Sequence, residues 1–268
     1  MHLTTRKATA GIVAALALVP AAAVAATIDG GPGNEHLRGT NAADQINGNG
    51  GNDRIFGRGA GDQLRGGPGN DRIFGGRGDD FISGDANDAG DRTSFDFLSG
   101  NAGNDTINGG DSADRIYGGP GNDTNNGENG RDKMAGGTGD DTQSGGAGND
   151  LIFANLGVDT TSGGDGNDRL WAMARGDVHP GPNGEVDTTA DSLDGGAGND
   201  SFRTRDGEAD RITCGEGNDV AFLDAVDVIT DASGENANGS CEKVIRKQPR
   251  SRDDRTENAQ QAPASANE

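Results

Sequence analysis

The stretch GGPGNDRIFGGRGDDFISGD, residues 66–85, contains the pattern that decides the fold. Its aspartates Asp71 and Asp80 are nine residues apart, and an isoleucine follows each of them two positions later. A run of glycines precedes each aspartate, and glycine destabilises the interior of a helix. A glycine loop, a carboxylate and one apolar residue that recur at a fixed step indicate an internal repeat, which has to be analysed before local propensity.

The overall composition leaves two interpretations open. The 268 residues include 49 glycines, only 30% hydrophobic and 4% aromatic residues, and 44 acidic against 23 basic side chains, for a formal net charge of −21. Such a composition is typical of disordered chains, because little apolar surface is available for a conventional core. The periodicity therefore has to decide between a disordered chain and an unusual fold.

The first 26 residues predict a cleaved secretory signal peptide. Arg6 and Lys7 form a short positive region, residues 11–19 are an apolar run, and residues 23–25 supply small side chains at a cleavage point. The alternative is a short membrane anchor, but about 20 apolar residues are needed to span a bilayer. Cleavage would remove two basic residues and change the net charge from −21 to −23. We therefore expect a secreted, extracellular protein.

Carboxylates keep the nine-residue step along most of the chain, in two long runs and two short pairs. Glu35 begins the first run. The aspartates in register are Asp44, Asp53, Asp62, Asp71, Asp80, Asp96, Asp105, Asp114, Asp123, Asp132, Asp141, Asp150, Asp159, Asp168, Asp177, Asp191, Asp200, Asp210 and Asp219. A random acidic chain would not keep this register, so the spacing favours a repeat architecture over disorder.

The residues around each acid repeat with it. With the acid as position 6, positions 1, 2 and 4 favour glycine, position 5 often holds asparagine and position 8 is usually apolar. This pattern resembles the nonapeptide GGxGxDxUx of the RTX, or hemolysin-type, calcium-binding repeats over about residues 30–222. The resemblance implies an all-β fold, namely a right-handed parallel β-roll with two nonapeptides per turn. It also implies that calcium is the cofactor and that the aspartates of the grid other than Asp210 are its ligands.

Elementary chemistry supports calcium independently. Glycines let the backbone turn tightly, and the residues after each acid form a short strand whose position 8 faces inward. Stacked turns bring carboxylates to about 4.8 Å from one another, where like charges repel. Calcium removes this repulsion because it accepts about six to eight oxygen ligands from carboxylates and carbonyls. With the stacking geometry that the resemblance implies, we expect about eight to twelve calcium ions per chain and a fold that forms as they bind.

Position 8 shows the two-unit turn directly, because apolar and polar side chains alternate there from residue 116 onward. One sheet is expected to stack Ile116, Met134, Ile152 and Leu170, and the opposite sheet Asn125, Gln143 and Thr161. The polar row departs from the apolar position of the family. It either forms a hydrogen-bonded ladder or marks a weakly packed, partly hydrated side.

Two insertions interrupt the grid, and both are expected to be loops that leave the β-roll. The step from Asp80 to Asp96 adds seven residues within about residues 85–95. The step from Asp177 to Asp191 adds five within about residues 178–190. The first insertion loosely resembles an EF-hand loop, but Ala89 stands where that loop needs a ligand.

The sequence contains no recognisable catalytic motif. Neither HExxH nor GxSxG occurs, and His36 and His179 lie at or beside the apolar positions of repeats. We expect a non-catalytic protein with no nucleic-acid partner and no stable membrane insertion. One alternative is an adhesin or matrix rod that presents an exposed face to ice, to a glycan or to another cell-surface partner. Outward threonines at Thr124, Thr142 and Thr160 suit that alternative, although strand propensity also explains them. A non-catalytic remnant of a secreted RTX enzyme or toxin is a further alternative.

The C-terminal part predicts a cap and a tail. Cys214 and Cys241 are expected to form a disulfide in an exported chain, with two free thiols as the alternative. The bridge would tie residues 223–245 to the last repeat and so cover the open end of the solenoid. Residues 246–268 are polar, mixed in charge and without periodicity, so we expect a disordered tail.

Overall fold

The computed structural model describes residues 24–84, 94–172, 190–233, 236 and 238–247. Most of the predicted signal peptide, most of both insertions, Asp177 and nearly all of the predicted tail lie outside these residues. Every regular element of the described part is a β-strand, which confirms the all-β prediction. Within the same part of the chain, no helix has the length and apolar character needed to cross a membrane.

Two parallel sheets of 11 strands each build the fold. Sheet A contains β1 (Thr27–Asp29), β3 (Gln45–Asn47), β5 (Gln63–Arg65), β7 (Phe81–Ser83), β9 (Thr106–Asp111), β11 (Thr124–Gly130), β13 (Thr142–Gly148), β15 (Thr160–Asp165), β17 (Ser192–Ala197), β19 (Arg211–Thr213) and β21 (Val228–Ile229). Sheet B contains β2 (His36–Arg38), β4 (Arg54–Gly59), β6 (Arg72–Arg77), β8 (Phe97–Ala102), β10 (Arg115–Pro120), β12 (Lys133–Thr138), β14 (Leu151–Leu156), β16 (Arg169–Trp171), β18 (Ser201–Thr204), β20 (Val220–Leu223) and β22 (Lys243–Arg246). Consecutive strands alternate between the sheets, so the chain winds as a parallel β-solenoid of about ten turns.

The strand register gives each turn its length. Arg54 of β4 pairs with Arg72 of β6, which sets a separation of 18 residues from one turn to the next. Two nonapeptides therefore make one turn, as the resemblance implies. At the first insertion Arg72 pairs with Phe97, so the separation grows to 25 residues. This length agrees with the seven added residues that the sequence predicts.

The second insertion is longer than the nine-residue grid predicts. Thr160 of β15 pairs with Ser192 of β17, and the separation between these turns is 32 residues. The insertion therefore exceeds the predicted five residues by one whole nonapeptide. Asp191 occupies the place in the stack that the grid assigns to Asp177. The grid and the described register disagree at this one point.

The physical reason for this difference lies at position 8. If Asp177 were the next acid of the stack, position 8 of its unit would be His179. Pro180 follows directly and has no N–H to donate to a strand ladder. With Asp191 as that acid, position 8 is instead Leu193, which is 1% exposed and paired with Thr161. Burial of an apolar side chain without loss of a backbone hydrogen bond favours the longer insertion.

A thin core lies between the sheets, formed by position 8 of successive units. The fully buried apolar side chains in this row are Ile46, Ile55, Leu64, Ile73, Ile82, Leu98, Ile107, Ile116, Met134, Ile152, Leu170, Phe202, Ile212 and Ala221. The sequence predicts this inward position 8 correctly, with positions 7 and 9 on the outer faces as alternation in a strand requires. It does not predict that Tyr117, Phe153 and Trp171, at position 9 on sheet B, are buried in a separate apolar cluster.

A polar segment interrupts the core on the side of sheet A. Asn125, Gln143 and Thr161 stack in register and are at most 2% exposed, which confirms the predicted polar row. Gln143 Nε2 donates to the carbonyl of Phe153 at 2.8 Å. Among the described residues, neither Oδ1 nor Nδ2 of Asn125 has a hydrogen-bond partner. The row is therefore buried and incompletely satisfied, and it does not form the ladder that was one of the two predicted alternatives.

The apolar core is divided near this polar segment. One cluster runs from Leu37 to Ile152, and a second runs from Leu170 to Cys241. The backbone pairing continues across the division, since Ile152 and Leu170 are themselves register partners. In its described part, the β-solenoid thus has one continuous backbone ladder and two apolar cores between its sheets. A third apolar cluster on the outer face of sheet B, which includes Phe153 and Trp171, spans the division.

The C-terminal end is held by the disulfide that the sequence predicts. Cys214 and Cys241 are bonded across a separation of 27 residues, and both side chains are buried. Strand β22 pairs with β20 directly beyond the bridge, with Val244 opposite Ala221. The last turn of sheet B is therefore completed by the segment that the bridge attaches.

Candidate metal centre

The repeat acids form two rows, one at the entrance to each sheet. Row A, before the strands of sheet A, contains Asp44, Asp62, Asp80, Asp105, Asp123, Asp141, Asp159, Asp191, Asp210 and Asp227. Row B, before the strands of sheet B, contains Glu35, Asp53, Asp71, Asp96, Asp114, Asp132, Asp150, Asp168, Asp200, Asp219 and Glu242. Grid neighbours fall in opposite rows because each turn takes two nonapeptides.

Each acid is bonded to the turn that precedes it. The backbone N–H of Asp62 donates to Oδ1 of Asp80, and that of Asp132 to Oδ1 of Asp150, at 2.7 and 2.8 Å. The same bond recurs along row B without a break, ending with the N–H of Asp219 and Oε2 of Glu242. One carboxylate oxygen of each acid therefore joins adjacent turns, which leaves the other oxygen for a different role.

The second oxygen, Oδ2, is buried in most units of both rows. Among the described residues it has no hydrogen-bond partner in Asp53, Asp62, Asp80, Asp105, Asp123, Asp132, Asp141, Asp150, Asp168, Asp200, Asp210 and Asp219. A buried carboxylate oxygen without a donor is costly unless a cation compensates it. The described chain supplies no hydrogen-bond donor at these oxygen atoms, so both rows favour the binding of a cation from solution.

The glycine at position 1 leaves space beside this oxygen. A methyl group at Gly145 would overlap both Asp150 Oδ2 and the carbonyl oxygen of Gly163, one turn further on. The same overlap with a carboxylate and a carbonyl of the next turn recurs at Gly48 and Gly118. A carboxylate oxygen and a carbonyl oxygen that face one small space are the donor types that calcium prefers. The residues present therefore fit the ion that the resemblance implies.

The unit of Asp159 lacks this space. Its position 1 is Ala154, fully buried, and its position 2 is Asn155 with a backbone φ of 79°. A methyl group thus stands where the flanking units of Asp150 and Asp168 have only the hydrogens of Gly145 and Gly163. This unit is expected to bind calcium less well than its neighbours.

Asp44, in the first complete turn of row A, also differs from the rest. Its Oδ1 accepts from the N–H of Ala26 at 2.6 Å, and its Oδ2 accepts from the N–H of Thr40 at 2.5 Å. Thr40 occupies position 2, where most units have glycine. Both carboxylate oxygens of Asp44 therefore already have donors within the protein.

Burial raises the pKa of the stacked aspartates, and the neighbouring acids raise it further. The pKa of Asp132 is about 8 and that of Asp80 about 7, against the usual 3.8. The hydrogen bond from the preceding turn lowers the pKa of each but does not offset burial. The charges that act on Asp132 belong to Asp150, Asp114 and Glu128, all of them acidic. A divalent cation would replace the protons that these carboxylates otherwise hold.

Position 5 carries a second ladder, for which the sequence analysis gave no role. The N–H of Asn70 donates to Oδ1 of Asn52, and that of Asn122 to Oδ1 of Asn104, each at 2.8 Å. In these bonds the N–H donates to the preceding turn, whereas the N–H of each stacked aspartate donates to the following turn. Asparagine suits this exposed position because its side-chain oxygen accepts the bond without adding a charge beside the acid.

Several acids of the rows were missed by the sequence analysis. Asp210 stands on the grid but was not predicted as a ligand, and Asp227 and Glu242 were not identified at all. Both continue the rows although no glycine loop precedes them. The signal was present in the apolar residue two positions after each acid, Ile229 and Val244. Of the predicted ligands, Asp177 lies outside the described residues.

The comparisons with known proteins agree with this geometry. The family model described as RTX calcium-binding nonapeptide repeat matches residues 29–64, 56–88, 93–124, 126–161, 136–170 and 187–221. A comparison with curated proteins found no significant match. The matched ranges cover more than half of the chain and contain most of the acids of both rows. The chain therefore belongs to the RTX calcium-binding nonapeptide repeat family.

Proposed function

We propose that the chain is a secreted, non-catalytic calcium-binding protein whose β-solenoid folds as the ions bind. The observation that carries this proposal is the arrangement at Asp150. Its buried Oδ2 lacks a donor and faces the glycine space that it shares with a carbonyl of the next turn. The arrangement recurs in both rows, so the number of ions is expected to follow the number of intact glycine loops.

Folding is expected to require calcium because the apolar core is thin. Each nonapeptide places about one apolar side chain between the sheets, which contributes much less free energy than the backbone entropy that ordering nine residues costs. Backbone ladders reduce this difference, but the stacked acids oppose folding through mutual repulsion. Ion binding contributes the remaining free energy, as in other metal-dependent domains.

The direct test of coupled folding is a calcium titration of the mature chain from residue 27. Circular dichroism and hydrodynamic radius are followed from excess chelator to millimolar calcium, with magnesium as the matched control. We expect an expanded, disordered chain in chelator and a compact β-rich protein in calcium. A compact β-rich protein in excess chelator would contradict coupled folding.

The ion count tests the site itself. We expect about eight to twelve calcium ions per chain by equilibrium dialysis, because the glycine loops supply carbonyls and carboxylates in the calcium-preferred combination. The loops of Asp44 and Asp159 are expected to contribute least. A count of one ion or none would overturn the proposed function of the repeats.

Secretion is proposed from the first 26 residues of the sequence and from the disulfide. A chain that is disordered at submicromolar calcium and folds at extracellular, millimolar calcium would also stay competent for export. The test is to express the full-length chain in a bacterial host and sequence the N-terminus of the protein recovered from the medium. Recovery only from the cytoplasm, with Met1 or residue 2 at its start, would contradict the proposal.

A second candidate function rests on the outer face of sheet A. Thr124, Thr142 and Thr160 are exposed and stand in register on β11, β13 and β15. A flat, regular row of hydroxyls supports an extracellular rod that binds a glycan. A glycan array run with and without calcium tests this candidate, and Thr142→Lys is the variant expected to abolish calcium-dependent binding.

A further inference from the structure

The loop between β18 and β19 is built differently from the glycine loops. Counted on from Asp200, the next unit begins with Thr204 instead of glycine and reaches its acid, Asp210, one residue later than a nonapeptide would. The segment RDGEAD, residues 205–210, carries three acids at alternate positions. One carboxylate oxygen each from Asp206, Glu208 and Asp210 lies within 4.8 Å of the others. Three side-chain carboxylates thus converge within a single loop, whereas a glycine loop contributes one acid and backbone carbonyls.

Two of these carboxylates are buried, and one oxygen of each has no hydrogen-bond partner in the described part of the chain. Asp210 is 0% exposed and Asp206 is 9% exposed. Their Oδ1 atoms accept hydrogen bonds from the N–H groups of Asp191 at 2.8 Å and Glu208 at 3.0 Å, respectively. Within the described part of the chain, Oδ2 of Asp206 and Oδ2 of Asp210 have no hydrogen-bond partner. The cluster therefore presents unsatisfied, desolvated oxygens, unlike an ordinary group of surface acids.

The acids beside the cluster have a different, structural role. Asp227 Oδ2 accepts from the Thr204 hydroxyl and the Asp224 N–H, both at 2.7 Å. Asp224 Oδ2 accepts from the N–H of Gly207 at 2.8 Å, and its Oδ1 from that of Val226 at the same distance. These bonds hold the loop from outside, so its own three acids remain directed toward one another.

Arg205 and Arg246 donate to backbone carbonyls instead of to Asp206 or Asp210. Arg246 Nη1 donates to the carbonyls of Asp224 and Asp227, at 2.9 and 3.1 Å. Arg205 Nη2 donates to the carbonyl of Ile245 at 3.3 Å. The local surplus of negative charge calls for a cation from solution.

We infer that Asp206, Glu208 and Asp210 together bind one calcium ion at a site distinct from the glycine loops. The donor set contains only carboxylates, without histidine or cysteine, so it favours a hard, oxygen-seeking cation. Calcium is preferred over magnesium because three carboxylates in one loop suit its variable, higher coordination number better than the strict octahedron of magnesium. The larger number of charged ligands predicts that this ion binds more tightly than those of the glycine loops.

This inference does not need the glycine loops to bind calcium, so the two proposals can fail separately. The experiment uses the mature chain with its disulfide intact and native mass spectrometry while free calcium is lowered with a buffered chelator. The test variant carries Asp206→Asn and Glu208→Gln. The matched control is Glu216→Gln, an exposed acid in the next loop of the chain. Circular dichroism in calcium checks that each variant is folded.

We expect the wild type and the Glu216→Gln control to keep one ion at free calcium concentrations that release the others. The double variant is expected to lose that ion and to keep the rest of the count. A wild type that binds one ion, together with a double variant that binds none, supports this site and contradicts the proposed function of the glycine loops. Equal retention of the last ion by wild type and double variant overturns the inference. If the double variant does not fold in calcium, Glu208→Gln alone is compared, and unchanged retention by that variant also overturns it.

Discussion

The backbone N–H of Asp132 donates a hydrogen bond of 2.8 Å to Oδ1 of Asp150, one turn further along the β-solenoid. Asp150 therefore has two separable roles, since Oδ1 joins two turns while Oδ2 faces the glycine space. Asparagine keeps the Oδ1 acceptor and removes the charge, whereas alanine removes both. The two substitutions can thus distinguish the structural bond from the cation ligand.

The first prediction follows from this separation. Asp150→Asn is expected to lose the calcium of its loop while the ladder stays formed. Asp150→Ala is expected to cost about 1–3 kcal/mol more, because it leaves the buried N–H of Asp132 without an acceptor. Calcium titration calorimetry and chemical unfolding in saturating calcium measure the two effects. Identical unfolding midpoints for the two variants would show that the hydrogen bond contributes nothing.

The second prediction ranks neighbouring loops. Asp150→Ala is expected to lose more calcium affinity than Asp159→Ala, because a buried methyl group of Ala154 occupies the space beside Asp159. Calorimetry on both variants provides the comparison. A larger loss of affinity for Asp159→Ala would reverse the ranking and disprove the role given to the glycine space.

The third prediction exchanges the two residues at position 1. Gly145→Ala is expected to abolish one calcium site, because its methyl group would overlap Asp150 Oδ2 and the carbonyl of Gly163. Ala154→Gly is expected to improve the site of Asp159 and to raise the count by up to about one ion. Equilibrium dialysis of both variants against wild type is the measurement. An unchanged count in Gly145→Ala would locate the ions elsewhere.

The fourth prediction concerns pH. Because the pKa of Asp80, Asp105 and Asp200 is raised to about 7 and that of Asp132 to about 8, protons compete with calcium near neutrality. Calcium affinity is expected to fall as the pH is lowered from about 8 to about 5, with protons released on binding. Titrations in buffers of different ionisation enthalpy measure that release, and pH-independent affinity over this range would contradict it.

Without calcium, lowering the pH is expected to have the opposite effect, namely to stabilise the fold. A carboxylate whose pKa is higher in the folded than in the unfolded chain binds more protons when folded, so acid favours the folded form. The calcium-free fold is therefore expected to lose stability as the pH rises from about 4 through the folded-state pKa values of about 6 to 8. Circular dichroism in chelator should show more β-structure at pH about 4.5 than at pH about 8.

The fifth prediction concerns the polar segment of the core. Asn125→Leu should stabilise the calcium-loaded protein by about 1–3 kcal/mol, because it removes a buried amide without hydrogen bonds and adds apolar contact. Thr124→Leu, exposed on the same strand, is the control and is expected to change stability by less than about 0.5 kcal/mol. Thermal unfolding in saturating calcium compares the two. Destabilisation by Asn125→Leu would indicate that its amide is satisfied by an internal water.

The sequence predicts most of the fold because one spacing determines both chemistry and register. The interval of nine residues places Ile55 opposite Ile73, and it separates the acids into two rows once two units are assigned to each turn. Spacing alone fails where several acids could continue the same row. The choice between Asp177 and Asp191 depends on whether His179 or Leu193 can enter the core, which the acid grid does not encode.

Other features could not be derived from spacing because they arise only when turns stack. The ladder of Asn52 and Asn70 needs two loops in contact, and no single nonapeptide reveals the direction of its bonds. The convergence of Asp206 and Glu208 depends on a loop that departs from the repeat. A search for acids followed two positions later by an apolar residue, without regard to glycine, would have found Asp227 and Glu242.

The division of the core between Ile152 and Leu170 has a consequence for how order is gained and lost. Cooperativity in a solenoid comes from contacts between adjacent turns. Between the sheets the apolar contacts are interrupted at this division, and on the outer face of sheet B the rings of Phe153 and Trp171 still pack across it, with centroids 5.0 Å apart. The segment that contains the disulfide can therefore stay structured while the turns before it exchange their amide hydrogens and become accessible to protease. Limited proteolysis at intermediate calcium would then leave a resistant C-terminal fragment. By its backbone the protein is one continuous solenoid, whereas we expect the core between its sheets to lose order as two units.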